Sequence, residues 1–159
     1  MPKTAPCLWF DGQAEAAANH YVSIFPNSKI LTTIPYGPDS MGSEGSTMVV
    51  TFSLDGQDYV GLNGGPQFTF SEAVSFQIYC ADQDEVDHYW ERLSEGGEEG
   101  PCGWLKDRFG VSWQVVPTRL LELIEDADKD RAYRATQAML QMRKIDIAEV
   151  ERAADGVKA

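Results

Sequence analysis

One order of elements is written twice into this chain, and that duplication limits the folds open to it more than any other feature. The first copy begins with Pro6 to Phe10, an apolar run short enough for a buried strand and closed by Asp11 and Gly12. Ala14, Ala17, Tyr21, Ile24 and Phe25 then recur at helical spacing until Pro26 and Asn27 stop the helix. Ser28 to Tyr36 reads as extended, and the alternating runs Thr47 to Leu54 and Tyr59 to Leu62 flank Asp55-Gly56, a dipeptide that tolerates the positive φ of a tight hairpin. The second copy follows the irregular segment Asn63 to Glu72: a strand from Val74 to Cys80, a helix from Asp84 to Ser94 ended by Gly96-Gly97, then strands around Gly103 to Leu105 and Val111 to Val116. The two copies share little sequence identity. A repeated strand, helix and strand-hairpin group predicts an α+β protein of two such units, spanning residues 1–117.

Residues 118–159 depart from that repeat and read as a helical extension of the same domain, with helices over Thr118 to Glu125, roughly Asp128 to Met142 and roughly Asp146 to Ala154. Asp146 and Glu149 have the spacing of an N-cap and its N3 partner. Ala132, Ala135, Ala138, Met139 and Met142 form one apolar face, expected to pack on the domain itself or across a dimer, with cofactor binding or partner recognition as the alternative. The segment from Gly37 to Ser46, rich in Gly, Ser, Pro and Asp, is expected to be a mobile loop of the kind that can cover a site.

At 159 residues the chain has a common single-domain length, and a chain of this size buries roughly 70% of its unfolded surface. A formal charge of -12, from 25 acidic against 13 basic residues, offers no basic stripe, which argues against nucleic acid and membrane surfaces as partners. The acidic run Asp82, Asp84, Glu85 and Asp87 suits a solvated helix start and lacks the spacing of a calcium loop. No apolar run is long enough to span a bilayer, and MPKTAPC has no secretion-signal core, so the chain is expected in the cytoplasm. The three cysteines, Cys7, Cys80 and Cys102, form no CxxC pair and no disulfide framework, which agrees with a reducing compartment.

The segments CLWFDGQAEAAANHYVSIFPNSKI, LNGGPQFTFSEAVSF, CGWLKDRFGVSWQVVP and AMLQMRKIDIAEV resemble the vicinal oxygen chelate superfamily of glyoxalases, bleomycin-resistance proteins and extradiol dioxygenases. Within it, the chain is most similar to the PhnB-like branch, whose members are often labelled 3-demethylubiquinone-9 3-methyltransferase. The resemblance implies two βαβββ modules curled around a cleft, which is the default site, and a homodimer. It also raises metal chemistry, because the superfamily holds a divalent ion with His and Glu on four strand positions. Those positions fall here near Ala5 to Cys7, near Gly61 to Asn63, at Ser75 and at Gln114, where metal-dependent members carry Glu. Amide and hydroxyl groups bring no negative charge, so no cofactor is expected, with a divalent metal as the alternative.

His20 and His88 fall on helices and do not complete a ligand set; His20 is a candidate general base only if its ring turns into the cleft. Cys102 is a candidate nucleophile close in sequence to Lys106 and Arg108, although no His partner is adjacent. Methyl transfer is weakly supported, since FDGQAE after the first strand has one glycine and the modules do not predict a doubly wound sheet. Aromatic residues dominate what is left: Trp9, Phe10, Phe68, Phe70, Trp104 and Trp113 lie in or beside the runs expected to line a cleft. Asn63, Ser75, Cys102 and Gln114 could orient a ligand by hydrogen bonds. The sequence thus points to binding of a small hydrophobic or aromatic molecule without an intrinsic metal. A glyoxalase-type lyase or isomerase, metal-dependent or metal-free, is the alternative.

Overall fold

The computed structural model describes residues 2–157 and divides into two units, Met1–Phe70 and Ser71–Ala159. The first unit runs β1 (Cys7–Phe10), α1 (Ala14–Ile24), β2 (Lys29–Pro35), β3 (Thr47–Leu54) and β4 (Gln57–Asn63). Its sheet has the order β1-β4-β3-β2, with β1 parallel to β4 and the remaining pairs antiparallel. The second unit repeats this with β5 (Phe76–Cys80), α2 (Gln83–Ser94), β6 (Glu98–Glu99), β7 (Trp104–Lys106) and β8 (Ser112–Pro117). Its order is β5-β8-β7-β6, again with one parallel pair, β5 with β8. The fold is therefore α+β, two βαβββ modules of identical topology.

Helix α1 lies close on its sheet because both surfaces are small. Ala14, Ala17 and Ala18 are fully buried, and a Cβ on Gly61 would stand 3.3 Å from that of Ala14 and 3.0 Å from Val50 Cγ1. The Asp55-Gly56 turn takes positive φ at both residues, 47° and 89°, the backbone that matches the twist of the strands it joins.

Helix α2 is larger-sided. Asp82 caps it by accepting from the Glu85 N–H at 2.9 Å, and Val86, Tyr89, Trp90 and Leu93 are buried over β5, β7 and β8. Strand β6 consists of two glutamates and carries no apolar signal; it exists because Glu98 and Glu99 pair with Lys106 and Leu105. A Cβ on Gly97 would collide with the Lys106 carbonyl, so glycine is required where the chain leaves α2 for this strand.

The C-terminal residues form α3 (Thr118–Ile124), α4 (Lys129–Met139) and α5 (Ile147–Ala154), so the expected central helix stops three residues short of Met142. Val116, Leu120, Leu123, Ala135, Ile145, Val150 and Ala154 make a cluster of their own. Each buried Leu, Ile or Val there contributes about 1.5–3 kcal/mol. Polar contacts fasten the segment to its unit: Cys102 and Gly103 N–H groups donate to the Met142 and Arg143 carbonyls at 2.7 and 2.8 Å, and Gln83 bonds both the Ile145 carbonyl and the Ile147 N–H. Asp146 caps α5 on the Glu149 N–H at 3.1 Å, as the spacing predicts. No helix among the described residues is long and apolar enough to cross a membrane.

Candidate functional site

Strand register decides which side chains share a face, because directly opposite residues on a pleated sheet point the same way. In the second unit Phe76 pairs with Trp113, and Leu105 also pairs with Trp113. Trp113 is 2% exposed, its ring centroid lies 5.5 Å from that of Phe76, and this row belongs to the helix-covered side. The alternate row carries Gln77 opposite Gln114, Gln114 opposite Trp104, and Lys106 opposite Ser112. These side chains occupy the face turned away from α2.

That face is wired by hydrogen bonds across the sheet. Gln114 Nε2 donates to Ser75 Oγ at 2.9 Å, Gln77 Nε2 donates to Gln114 Oε1 at 3.4 Å, and the Tyr79 hydroxyl donates to Gln77 Oε1 at 2.9 Å. Beside this row a cavity of about 400 Å³ is lined by Trp104, Leu105, Pro101, Gly100, Lys106 and Ser112, with Glu72, Glu98 and Glu99. Its size falls within the roughly 300–1,000 Å³ of small-molecule sites. Lys106 pairs with Glu72, which holds the Glu72 carboxyl below the usual range and the Lys106 ammonium above it.

The residues expected from sequence sort into three groups. Ser75, Trp104 and Gln114 meet on the uncovered face of the second sheet. Phe10, Asn63 and Trp113 lie on helix-covered sides: Phe10 is 3% exposed and packs edge-on against Phe70 at 5.2 Å. Asn63 Oδ1 accepts the Ala14 N–H and its Nδ2 donates to the Thr47 carbonyl, both at 2.9 Å, so its amide fastens the start of α1 to β3. Trp113 donates its indole N–H to the buried Asp107 at 2.9 Å.

Phe68 and Cys102 make a third group, on connecting segments. Phe68 is exposed and stands edge-on to Trp9 at 4.9 Å. Cys102 occupies the turn before β7 with φ of 58°, its N–H tied to Met142. His20 is half-buried within α1 beside Tyr21, and His88 is exposed on α2. Gln77, Tyr79, Lys106 and Ser112 were not foreseen, although Gln77, Lys106 and Ser112 each lie two residues along the chain from a residue that was. A second cavity, of about 520 Å³ in the first unit, is lined by Asp11, Glu15, Tyr36, Thr47, Asn63 and Gln67 among others, and Met41, Gly42 and Ser46 of the expected mobile loop form part of its wall.

The donors at the superfamily's metal positions do not fit a divalent ion. Gln114 uses its N–H on Ser75 and its oxygen on Gln77, Asn63 is spent on the backbone, and Cys7 is an exposed thiol whose pKa is raised by partial burial. Among the described residues no group of three or more His, Cys, Asp and Glu could hold a metal ion.

Residues 2–116 match the family described as 3-demethylubiquinone-9 3-methyltransferase. A solved structure of a PhnB protein from Bacillus cereus, titled with the same methyltransferase description, is 32% identical with a TM-score of 0.66, over 73% of this chain and 99% of that one. Protein PA1353 from Pseudomonas aeruginosa is 18% identical with a TM-score of 0.62, over 74% of this chain and 98% of its own. The fosfomycin resistance protein FosX from Listeria monocytogenes shares the fold at 17% identity and a TM-score of 0.50, over 73% and 90% of the two chains. No curated protein matches the sequence.

Proposed function

Because the chain belongs to the 3-demethylubiquinone-9 3-methyltransferase family, within the vicinal oxygen chelate superfamily, we propose that it binds a small, flat, largely apolar molecule on the uncovered face of its second sheet, without an intrinsic catalytic metal. The observation that carries this reading is the Ser75, Gln114 and Gln77 hydrogen-bond row beside the Trp104-lined cavity. Trp104 supplies a half-buried aromatic surface for stacking. Gln114 and Ser75 supply neutral polar groups that orient the ligand without demanding charge. Trp113 and Cys102 take a supporting part in this reading, as packing and connecting residues of the second unit, while Phe10, Asn63 and Phe68 serve the packing of the first. The protein would act in the cytoplasm as a homodimer, with residues 118–159 an extension of the paired-module domain.

Methyl transfer, the activity in the family's description, is the weaker reading. Each sheet has a parallel strand followed by a helix, but among the described residues the β1–α1 turn has Gly12 alone, short of the glycine-rich turn that commonly cradles an adenosyl cofactor. A glyoxalase-type lyase or isomerase, with His20 or Cys102 as its candidate catalytic group, is the other reading; beside Trp104 the titratable groups are the Lys106–Glu72 pair with Glu98 and Glu99.

Titration with naphthalene as a flat apolar probe tests the site. Trp104→Ala is expected to weaken binding about tenfold or more by removing the stacking surface, while Glu44→Ala leaves it unchanged. Equal affinity in wild type and Trp104→Ala would remove the cavity from consideration.

A further inference from the structure

Ser112 is the most economical place in the molecule to look for a ligand contact that the fold itself does not use. It is 2% exposed, its Oγ has no hydrogen-bond partner among the described residues, and it lines the Trp104 cavity. A buried hydroxyl with nothing to bond destabilises the fold relative to alanine. A bound molecule that hydrogen-bonds to it would remove that cost.

Directly across the ladder stands Lys106, whose ammonium has three N–H donors and pairs with Glu72. Glu72 is reached from the exposed segment ahead of β5. Two residues with donors, Ser112 and Lys106, are therefore neighbours across the ladder in the lining of a cavity that also holds Trp104, Leu105 and Pro101, with Glu72, Glu98 and Glu99.

Resting on the binding site proposed above, we propose that Ser112 and Lys106 form an oxygen anchor: the ligand is a flat aromatic molecule bearing a neutral acceptor oxygen, a ring-borne carbonyl or hydroxyl, seated between these two side chains with its ring against Trp104. A full carboxylate is disfavoured, because Glu72, Glu98 and Glu99 stand around a single lysine. An ammonium group would be drawn to the same carboxylates, so a cationic ring is the competing ligand class and the amine is the probe that separates the two. No covalent step is involved.

The test compares three probes of one ring size, 2-acetylnaphthalene, naphthalene and 1-naphthylmethylamine, by calorimetric titration on wild type, Ser112→Ala and Lys106→Met. Wild type should bind the ketone roughly tenfold more tightly than naphthalene, and that preference should collapse in each variant. Ser112→Ala should also melt at or above the wild-type temperature, since the hydroxyl has no partner in the fold.

Naphthalene binding that depends on Trp104, with no ketone preference or with a preference that survives in both variants, would overturn the anchor and leave the site standing. Tighter binding of the amine than the ketone would overturn the acceptor assignment. Failure of all three probes to bind would overturn the anchor and the site together.

Discussion

Asp107 shows how one residue can organise a segment that the sequence marks only as a turn. Its side chain is buried at 3% exposure, with Oδ1 accepting the Phe109 and Val111 N–H groups at 2.8 and 3.0 Å and Oδ2 accepting the Trp113 indole at 2.9 Å. The carboxylate therefore fixes the β7–β8 connection and with it the register that sets Trp104 opposite Gln114. Asp107→Ala would orphan these donors at about 1–3 kcal/mol for each that stays buried, so a loss of about 3–5 kcal/mol is expected. Asp107→Asn should be intermediate, because an amide can still accept from the backbone but turns a donor toward the indole N–H. Urea denaturation at pH 7 measures both. The cysteines separate at the same scale: burial, with Glu85 and Asp82 nearby, pushes the Cys80 thiol up to about 12, which makes it inert.

The elements were legible in the sequence where period and punctuation were strong, and illegible where pairing alone creates structure. Helices α1 and α2, the Asp55-Gly56 hairpin and the parallel-capable strands follow from apolar spacing and turn residues. Strand β6 does not, because two glutamates acquire strand geometry only through Lys106 and Leu105. The site was half legible for a related reason. Trp104 and Trp113 are both strand tryptophans, and nothing in their composition says that the ladder turns one toward the cavity and the other under α2. Only the register separates them.

The C-terminal helices give the element-scale prediction. Lys144 pairs with Asp87 of α2 at 2.9 Å, and this bond with that from Gln83 holds the Asp87 carboxyl below its usual value. A depressed carboxylate adds stability that is complete above its unfolded pKa, about 3.9, and is lost as pH falls through the lower folded value. The Lys144→Met variant should therefore melt slightly below wild type at pH 7, within about 0.5 kcal/mol for so exposed a pair, and the two should converge near pH 2. A difference that persists at pH 2 would assign the effect to packing.

For the whole molecule, two modules of one topology carry different surfaces. The first unit's uncovered row includes Cys7 and Trp9 opposite Val60 and Leu62, with the Trp9 indole bonded to the Gly65 carbonyl at 2.9 Å. The second unit's row is amide, hydroxyl and tryptophan. The net charge of -12 works against anions and phosphate backbones as partners of either. At Ser75 and Gln114, two of the superfamily's metal positions, the chain carries neutral side chains bonded to each other at 2.9 Å. The measurement that tests the metal-free reading most directly is elemental analysis with native mass spectrometry on gently purified protein. The expected result is no stoichiometric divalent ion, together with a retained small molecule that is lost from Trp104→Ala. A stoichiometric divalent ion in wild type, lost from Gln114→Ala, would contradict it.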